Sequence, residues 1–252
     1  MKVTEPILIE RQGAAQIIRI NRPDKKNALT RAMYAAMTAA LAGGDADPAI
    51  RVHVFLGVPG AFSAGNDLAD FLVMATGGEG GHEVWDFLLA LAGTQKPMVS
   101  GVDGIAVGIG TTLNLHCDLT FATPRTVFRT PFVDLGLVPE AGSSLLVPQI
   151  LGRQGAFAML CLGEGLSAER AREAGLIYEV VEESVLEASV LAAADRIASK
   201  PPRALKTARD LMRGPREELA ARIRQEAEQF REHLKSDEAR AALTTFMERK
   251  KG

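Results

Sequence analysis

The stretch from residue 104 to residue 122 constrains the fold more than any other part of the sequence. Residues 97–102 have the apolar, partly β-branched character of a buried strand. The glycines at 108 and 110 then allow a tight turn and a close approach of a ligand to the main chain. Apolar residues recur after this turn, which predicts that it opens into a helix that ends at Cys117. Asp118, which follows, is interpreted as a structural partner of a loop N–H.

The first N–H groups of such a helix, at residues 109–112, have no acceptor inside the helix. They lie at its positive end, so they stabilise an oxygen that gains negative charge. On its own, the same pattern is also typical of a glycine turn that only packs a helix closely on a sheet.

A second stretch repeats this order of elements. Residues 52–56, Val-His-Val-Phe-Leu, predict a buried strand, and residues 61–68, Ala-Phe-Ser-Ala-Gly-Asn-Asp-Leu, follow it and lead into a predicted helix. Two turns of this kind can direct backbone N–H groups at one oxygen. The pair therefore favours a site that stabilises an oxyanion.

These two stretches resemble the signatures of the enoyl-CoA hydratase/isomerase family, also called the crotonase superfamily. The signatures read approximately Phe-Ser-Ala-Gly-x-Asp-Leu and Gly-x-Ala-x-Gly-Gly-Gly-x-x-Leu-x-x-x-Cys-Asp. The resemblance continues at residues 21–29, 151–153 and 168–181 and in the basic C-terminus, so it covers most of the chain. It is specific because several separated motifs occur in the family's order.

The predicted elements agree with an α/β fold. Residues 7–10 and 16–20 flank Gly13 and predict a hairpin. Thr30 is the predicted cap of a helix that Gly43 and Gly44 end. Strands and helices alternate up to about Leu151, and helices predominate after it. The resemblance implies a crotonase-like ββα spiral core that holds the CoA-ester site, which we place at residues 1–195. It also implies a C-terminal helical region, residues 196–252, that forms homotrimers, often paired into hexamers as dimers of trimers.

Composition excludes several classes of function. A net charge of −2 gives no electrostatic basis for binding nucleic acid or an anionic membrane. No apolar run approaches the ~18 residues of a spanning helix, and charged residues near the start do not fit a signal peptide. Cys117 and Cys161 lie in apolar segments and are interpreted as reduced core thiols. A cytoplasmic protein without a metal site is expected.

By residue-by-residue match, the resemblance assigns the two oxyanion donors to the backbone N–H groups of Asn66 and Ile109. Two such donors in a dry site stabilise a thioester enolate, at ~2.7 to 4 kcal/mol per donor lost. Ile109 replaces the middle glycine of the second signature. Only its N–H takes part, but its side chain must find room in the core or the acyl pocket.

The residues at the acid–base positions indicate which reaction of this family the chain catalyses. The positions that match the two water-binding glutamates of the hydratases are Thr112 and Phe132. Phe132 cannot take a proton, and Thr112 has no obvious activating partner, so water addition by two carboxylates is disfavoured.

Residues 139–144, Pro-Glu-Ala-Gly-Ser-Ser, resemble the Pro-Glu-x-x-Ser-Ser segment of peroxisomal-type Δ3,Δ2-enoyl-CoA isomerases, in which the glutamate moves a proton from C2 to C4. Glu140 is therefore the predicted catalytic base. The structural alternative is a glutamate in the first turn of a helix running from about Gly142, where the helix dipole favours it. Ser143 and Ser144 are interpreted as caps of that helix.

The resemblance also implies which residues contact the substrate. Lys25 and Lys26 are expected near the nucleotide end of coenzyme A, although solvated loop charge explains them equally well. The glycine run at residues 77–81 lacks the Lys-Ser/Thr of a phosphate loop and is interpreted as letting the region over the acyl chain move. The predicted substrate-binding residues are Lys25, Lys26, Ala28, Ala64, Asp67, Leu68, Gly108, Thr112, Phe132, Phe246 and Lys250.

The resemblance thus implies an enoyl-CoA isomerase that acts on an acyl-CoA thioester. It needs no metal or redox cofactor, since coenzyme A is part of the substrate. One alternative is an enoyl-CoA hydratase or another crotonase-type acyl-CoA reaction, such as cleavage or dehalogenation. The other is a catalytically vestigial CoA-ester- or RNA-binding protein, and the acidic balance counts against RNA.

Overall fold

A computed structural model describes residues 5–67, 69–71 and 82–249, the last four of these by backbone alone. The strands of these ranges form two sheets, in the orders β1-β2-β3-β5-β7-β10 and β4-β6-β8-β9. Their bounds are β1 Ile7–Gln12, β2 Ala15–Ile20, β3 Val52–Leu56, β4 Ala61–Ser63, β5 Met98–Val102, β6 Ile105–Val107, β7 Leu119–Ala122, β8 Val127–Arg129, β9 Leu166–Ser167 and β10 Glu179–Val180.

The helices of the described ranges become more frequent towards the C-terminus. Their bounds are α1 Arg31–Ala46, α2 His82–Gly93, α3 Ile109–Thr112, α4 Ser143–Leu160, α5 Ala168–Glu173, α6 Leu186–Ala198, α7 Pro202–Arg213, α8 Arg216–Leu234 and α9 Asp237–Arg249. Short 3-10 helices lie at Pro23–Lys25, Leu113–His116, Val133–Leu135 and Glu183–Val185.

From β3 to β8, successive strands belong alternately to the first and the second sheet. After the predicted hairpin of β1 and β2, which pairs antiparallel, strands β3, β5 and β7 enter the first sheet while β4, β6 and β8 enter the second. All the pairs among β3, β5 and β7 and among β4, β6 and β8 are parallel. This arrangement confirms the predicted α/β spiral.

The first sheet is covered on both faces, which explains the continuous apolar character of its strands. In β3, Val54 belongs to a cluster that packs against Val190 of α6. The next residue, Phe55, points to the other face, where its ring meets Phe87 of α2 edge-on at 6.5 Å. The main core thus lies between this sheet and the helices α1 and α2.

Helix α1 begins where the sequence predicts but ends later. The hydroxyl oxygen of Thr30 accepts a hydrogen bond from the N–H of Met33 at 3.4 Å, as expected of an N-cap. The predicted stop at Gly43 and Gly44 is wrong, because the helix runs on to Ala46. A Cβ on Gly44 would lie 2.2 Å from Gln16 Oε1, so this glycine permits close packing and does not end the helix.

The C-terminal helices pack directly on the spiral. Arg209 of α7 is buried and donates to both carboxylate oxygens of Asp118 at 2.9 Å. Asp118 in turn accepts the N–H of Met98 at 2.8 Å, which agrees with its predicted structural role. The C-terminal segment is helical, as predicted, and consists of two helices, α8 and α9, with a break after Leu234. The division at residue 195 remains a prediction.

Candidate active site

Two glycine turns meet at one edge of the second sheet. Strands β4 and β6 pair in parallel, with Ala61 opposite Ile105, so their carboxyl ends lie side by side. Gly65 and Gly108 follow these ends with φ angles of +90° and +55°, a region that favours glycine. A Cβ on Gly108 would lie 4.0 Å from the Cα of Gly65. The two predicted turns are therefore in van der Waals contact.

The residue after each glycine has an unengaged backbone donor. Within the described ranges, the N–H groups of Asn66 and Ile109 donate to no acceptor of the protein. The next N–H, that of Asp67, is used in the fold and donates to the carbonyl of Leu29 at 2.9 Å. The arrangement leaves two backbone donors, one from each of two adjoining turns, available to an oxyanion.

Helix α3 is shorter than the sequence predicts. It makes a single turn from Ile109 to Thr112 and continues as a 3-10 helix to His116. The side chain of Ile109 is 1% exposed and lies in the core, which is one of the two places expected for it. A Cβ on Gly110 would lie 2.6 Å from the carbonyl oxygen of Ser63, so this glycine lets α3 approach β4.

Asn27 fixes the first turn, although the sequence analysis gave it no role. It is fully buried, and its side-chain amide donates to the carbonyls of Ile20, Ala61 and Phe62 at 2.9, 2.9 and 3.1 Å. Its φ of +57° is one that asparagine tolerates better than most residues. An asparagine inside the family motif at residues 26–29 could therefore have indicated a backbone position with a positive φ.

A cavity of about 400 Å³ opens beside the two turns. One side carries charged residues from the loop after β2, and the other is apolar. The predicted substrate residues that line it are Lys25, Lys26, Ala28, Ala64, Asp67, Gly108 and Phe132, together with Asn66, and the remaining lining residues are Asp24, Gly65, Phe71, Val107, Pro131, Leu135, Leu137 and Phe230.

Other predicted site residues lie elsewhere. Leu68, Lys250, the side chain of Phe246 and the glycine run at residues 77–81 fall outside the described residues. Ile109, Thr112 and Glu140 are buried and are not among the described lining of the cavity. The expectation that Thr112 has no activating partner is wrong, because its hydroxyl donates to Oε1 of Glu140 at 2.5 Å.

Glu140 is buried, with 2% of its surface exposed. Its second oxygen, Oε2, has no hydrogen-bond partner in the described part of the chain. Burial, as the largest cause, raises the pKa of Glu140 to about 8; the hydrogen bond from Thr112 lowers this pKa, and the charge of Glu226 raises it further. The carboxyl group is therefore protonated over much of the neutral range and remains able to ionise.

The structure does not place Glu140 in the first turn of a helix, which was the structural alternative to a catalytic role. Helix α4 begins at Ser143, so Glu140 precedes its first turn and is not a first-turn residue. The N-cap position belongs to Gly142, so the interpretation of Ser143 and Ser144 as caps is also wrong. Ala141, which lies between Glu140 and Gly142, has a φ of +61°, which is strained for a residue other than glycine.

His116 supports this turn from the end of the oxyanion segment. Its Nε2 donates to the carbonyl of Ala141 at 2.8 Å, which requires the tautomer with the proton on Nε2. Burial lowers the pKa of His116 to about 4, so the ring is neutral near pH 7. Its side chain is 1% exposed, so the ring is packed inside the fold.

Tyr34 is a second buried neighbour that the sequence analysis did not single out. Its hydroxyl donates to Oδ1 of Asn66 at 2.6 Å. Burial, followed by the charges of Glu140 and Asp70, raises its pKa well above the ordinary value. The only signal in the sequence was that a buried tyrosine hydroxyl needs a polar partner. Glu140 is thus linked to α3 through Thr112, and Tyr34 fixes the side chain of Asn66.

The thiols offer no alternative nucleophile beside this site. Both cysteines are free. Burial raises the pKa of Cys117 to about 12, so it is not a thiolate at neutral pH. Within the described ranges, no group of three His, Cys, Asp or Glu side chains is placed to hold a metal ion. None of the helices in those ranges combines the length and apolar character needed to cross a bilayer.

Comparisons with known proteins agree with the geometry. A family model described as enoyl-CoA hydratase/isomerase matches residues 10–252. "Enoyl-CoA delta isomerase 2" of Rattus norvegicus is 36% identical over 251 residues, which are 97% of this chain and 64% of that protein. The chain therefore spans less than two thirds of the length of this relative.

Solved structures resemble the chain over nearly its whole length. The structure of Pseudomonas aeruginosa OdaA has a TM-score of 0.92 and 42% sequence identity, and the match covers 97% of this chain and 99% of that one. The crystal structure of an enoyl-CoA hydratase/isomerase from Pseudoalteromonas atlantica T6c has a TM-score of 0.91 and 36% identity, and covers 97% and 98%.

Proposed function

The chain belongs to the enoyl-CoA hydratase/isomerase family, and we propose that it moves the double bond of a 3-enoyl-CoA thioester to the conjugated 2-position. The observation that carries this proposal is Glu140, a buried carboxyl group with one unpartnered oxygen. It is bonded to Thr112, at the end of the helix that starts at the donor Ile109. The names of relatives such as the rat delta isomerase support the same reaction.

The reaction begins at the thioester. Its carbonyl oxygen accepts hydrogen bonds from the N–H groups of Asn66 and Ile109, which makes the C2 proton more acidic. Glu140 takes that proton, and the electron pair of the C2–H bond moves into a dienolate whose negative oxygen lies between the two donors. The same carboxylic acid then returns the proton to C4, and the double bond moves from C3–C4 to C2–C3.

The environment of Glu140 suits a group that both takes and gives a proton. Its pKa of about 8 lies close to a neutral working pH, where both protonation states are available. Thr112 and Phe132, at the positions that match the two hydratase glutamates, supply no carboxylate. This supports isomerisation over water addition.

The cavity suits a coenzyme A thioester. Lys25 and Lys26 give one side positive charge for phosphate groups, and Phe71, Leu137 and Phe230 give the other an apolar wall for an acyl chain. The proposed reaction needs no metal or redox cofactor. Assembly into trimers or hexamers through the C-terminal region and a cytoplasmic location also remain proposals.

The test replaces Glu140 by Gln. This change keeps the size of the side chain and removes its ability to take a proton. We expect formation of the 2-enoyl thioester to fall by roughly 10² to 10⁴-fold, while calorimetric binding of a CoA ester is unchanged.

The matched control is Glu164→Gln, since Glu164 is exposed and lies on a different cleft. Full activity of the Glu140→Gln variant would overturn the assignment. Parallel assays separate the alternatives: water addition to 2-enoyl-CoA by the wild type would indicate a hydratase, and binding without turnover would indicate a vestigial site.

A further inference from the structure

A second buried glutamate, Glu226 of α8, lies behind the proposed base and takes no part in the mechanism above. We propose that Glu226 is a positioning residue, which fastens the turn carrying Glu140 and places a fixed negative charge beside it. This inference rests on the proposed function, since it concerns the same carboxyl group. It assigns part of the active site to the C-terminal helical region.

Both oxygens of Glu226 bind the start of α4. Oε2 accepts the N–H of Gly142 at 2.6 Å. Oε1 accepts the N–H of Ser144 at 3.0 Å and the hydroxyl of Ser144 at 2.5 Å. Glu226 is 6% exposed, so these hydrogen bonds lie away from water and are charge-assisted. The chain is therefore held two and four residues after Glu140.

The turn needs such a clamp because its backbone is strained. Ala141 and Gly142 are consecutive residues with positive φ angles, +61° and +73°, and such a conformation persists only where the surroundings impose it. His116 holds the carbonyl of Ala141 from one side, and Glu226 holds the N–H of Gly142 from the other. Helix α8 is also in close contact here, since a Cβ on Gly142 would lie 2.4 Å from Leu219 Cδ1.

The charges around the two carboxyl groups differ. Glu140 accepts a hydrogen bond from the hydroxyl of Thr112, and the negative charge of Glu226 raises its pKa, while His116, which binds the carbonyl of the next residue, is neutral near pH 7. Glu226 accepts three hydrogen bonds, and the nearby cation Arg222 donates to Ser144 Oγ at 3.2 Å.

Burial raises the pKa of both glutamates, but the hydrogen bonds from Gly142 and Ser144 and the charge of Arg222 oppose this effect at Glu226. Glu226 accepts three hydrogen bonds and Glu140 accepts one, so the surroundings favour the negative charge on Glu226 and the proton on Glu140.

The role predicts a split between catalysis and binding. Both carboxylate oxygens of Glu226 accept hydrogen bonds from Gly142 or Ser144, so Glu226 offers no free oxygen to the substrate. Loss of the clamp displaces Glu140 and lowers kcat. Loss of the charge lowers the pKa of Glu140 and moves the pH at half-maximal kcat/KM to lower values, because the negative neighbour no longer opposes ionisation.

The experiment compares Glu226→Gln and Glu226→Ala with the exposed control Glu232→Gln on the same helix. Both Glu226 variants should bind a CoA ester like the wild type and show the lower pH midpoint. For Glu226→Ala we expect kcat to fall by up to about 100-fold, the effect of displacing a reacting group by about 1 Å. The control should match the wild type. Folded Glu226 variants with an unchanged kcat and an unchanged midpoint would overturn the proposal.

A second measurement does not depend on isomerase activity. Carbon-13 labelling of the glutamate carboxyl groups, with the Glu140 signal identified by its absence in Glu140→Gln, reports the titration of Glu140 directly. A lower midpoint in Glu226→Gln would support the inference even if the wild type does not isomerise 3-enoyl-CoA, and an unchanged midpoint would contradict it.

Ser144→Ala keeps the charge and removes one of the three bonds, so it serves if the Glu226 variants do not fold. We expect it to lower kcat without changing KM, and an unchanged kcat would count against the clamp.

Discussion

The two sides of the candidate site are held in different ways. The donor side is built from neighbouring strands: β4 and β6 pair directly, and the glycines after them bring Asn66 and Ile109 to the same edge. The acid side depends on remote contacts, since the bond from Gly142 to Glu226 joins residues 84 positions apart. The difference shows that the donors follow from sheet geometry, whereas the placement of Glu140 depends on how the C-terminal helices pack.

This contrast separates two kinds of mutational effect. Changes on the donor side should alter distances between backbone atoms, with little effect on the pH dependence. Changes on the acid side should alter the ionisation of Glu140 as well as its position.

Among changes that leave Glu140 itself in place, the largest effect in this comparison is expected from Gly110→Ala on the donor side. The new Cβ would lie 2.6 Å from the carbonyl oxygen of Ser63, so α3 must move away from β4 and carry the N–H of Ile109 with it. We expect kcat to fall by about 10² to 10³-fold, as when one oxyanion donor is lost, with an unchanged pH midpoint.

The matched control is Gly43→Ala on α1, where nothing lies within 4 Å of a new Cβ. It should leave kcat unchanged and stabilise the protein by up to about 1 kcal/mol in denaturant titration. Wild-type kcat in a folded Gly110→Ala variant would mean that the approach of the two turns does not matter for activity.

A smaller effect on the rate, but a shift of the pH midpoint, is expected from Thr112→Val on the acid side. The hydroxyl bond from Thr112 lowers the pKa of Glu140, so its removal should raise that pKa above its value of about 8. Since the base acts when it is ionised, kcat/KM should increase with pH in the wild type, and this increase should shift to higher pH in the variant. The two rates should converge in alkaline solution.

Thr112→Ser retains the hydroxyl and should restore the wild-type profile. A pH–rate series on the three proteins decides the point. A Thr112→Val profile that falls at every pH by the same factor would indicate displacement of Glu140 without a change in its ionisation.

The smallest effect is expected where the two sides meet, at Tyr34→Phe. This change removes the hydrogen bond to Oδ1 of Asn66, worth about 1 kcal/mol. Asn66 lines the cavity, so water can replace the lost donor. We expect a loss of about 1 kcal/mol in the free energy of unfolding and less than about a tenfold change in kcat.

Tyr178→Phe, at a half-exposed ring, is the control and should change neither quantity. A Tyr34→Phe variant as impaired as Gly110→Ala would show that the Asn66 side chain, and not only its N–H, belongs to the donor side.

The sequence predicts well those features that depend on neighbouring residues. The strand at residues 52–56, the hairpin and the cap at Thr30 follow from local pattern, and the structure contains each of them. The glycine turns were recognised because tight turns restrict residue type at the positions where they occur.

Features that depend on packing could not be predicted in the same way. The sequence around Gly44 is typical of a helix end. The need for glycine there comes from the side chain of Gln16, which lies beside it only in the folded protein. The pairing of Tyr34 with Asn66, 32 positions apart, and that of Glu226 with Gly142 have no local pattern. The length of α3 was missed because tightening into a 3-10 helix at residues 113–116 depends on what the turn packs against.

The two unengaged donors at the glycine turns belong to the main chain, and every amino acid except proline has such an N–H. A single base change in the gene can therefore replace the side chain at position 66 or 109 without deleting the N–H group that we propose binds the negative oxygen. The proposed base, in contrast, is a side chain and is lost when its codon changes. A scaffold that works in this way can exchange its acid and change its chemistry, while its backbone donors remain.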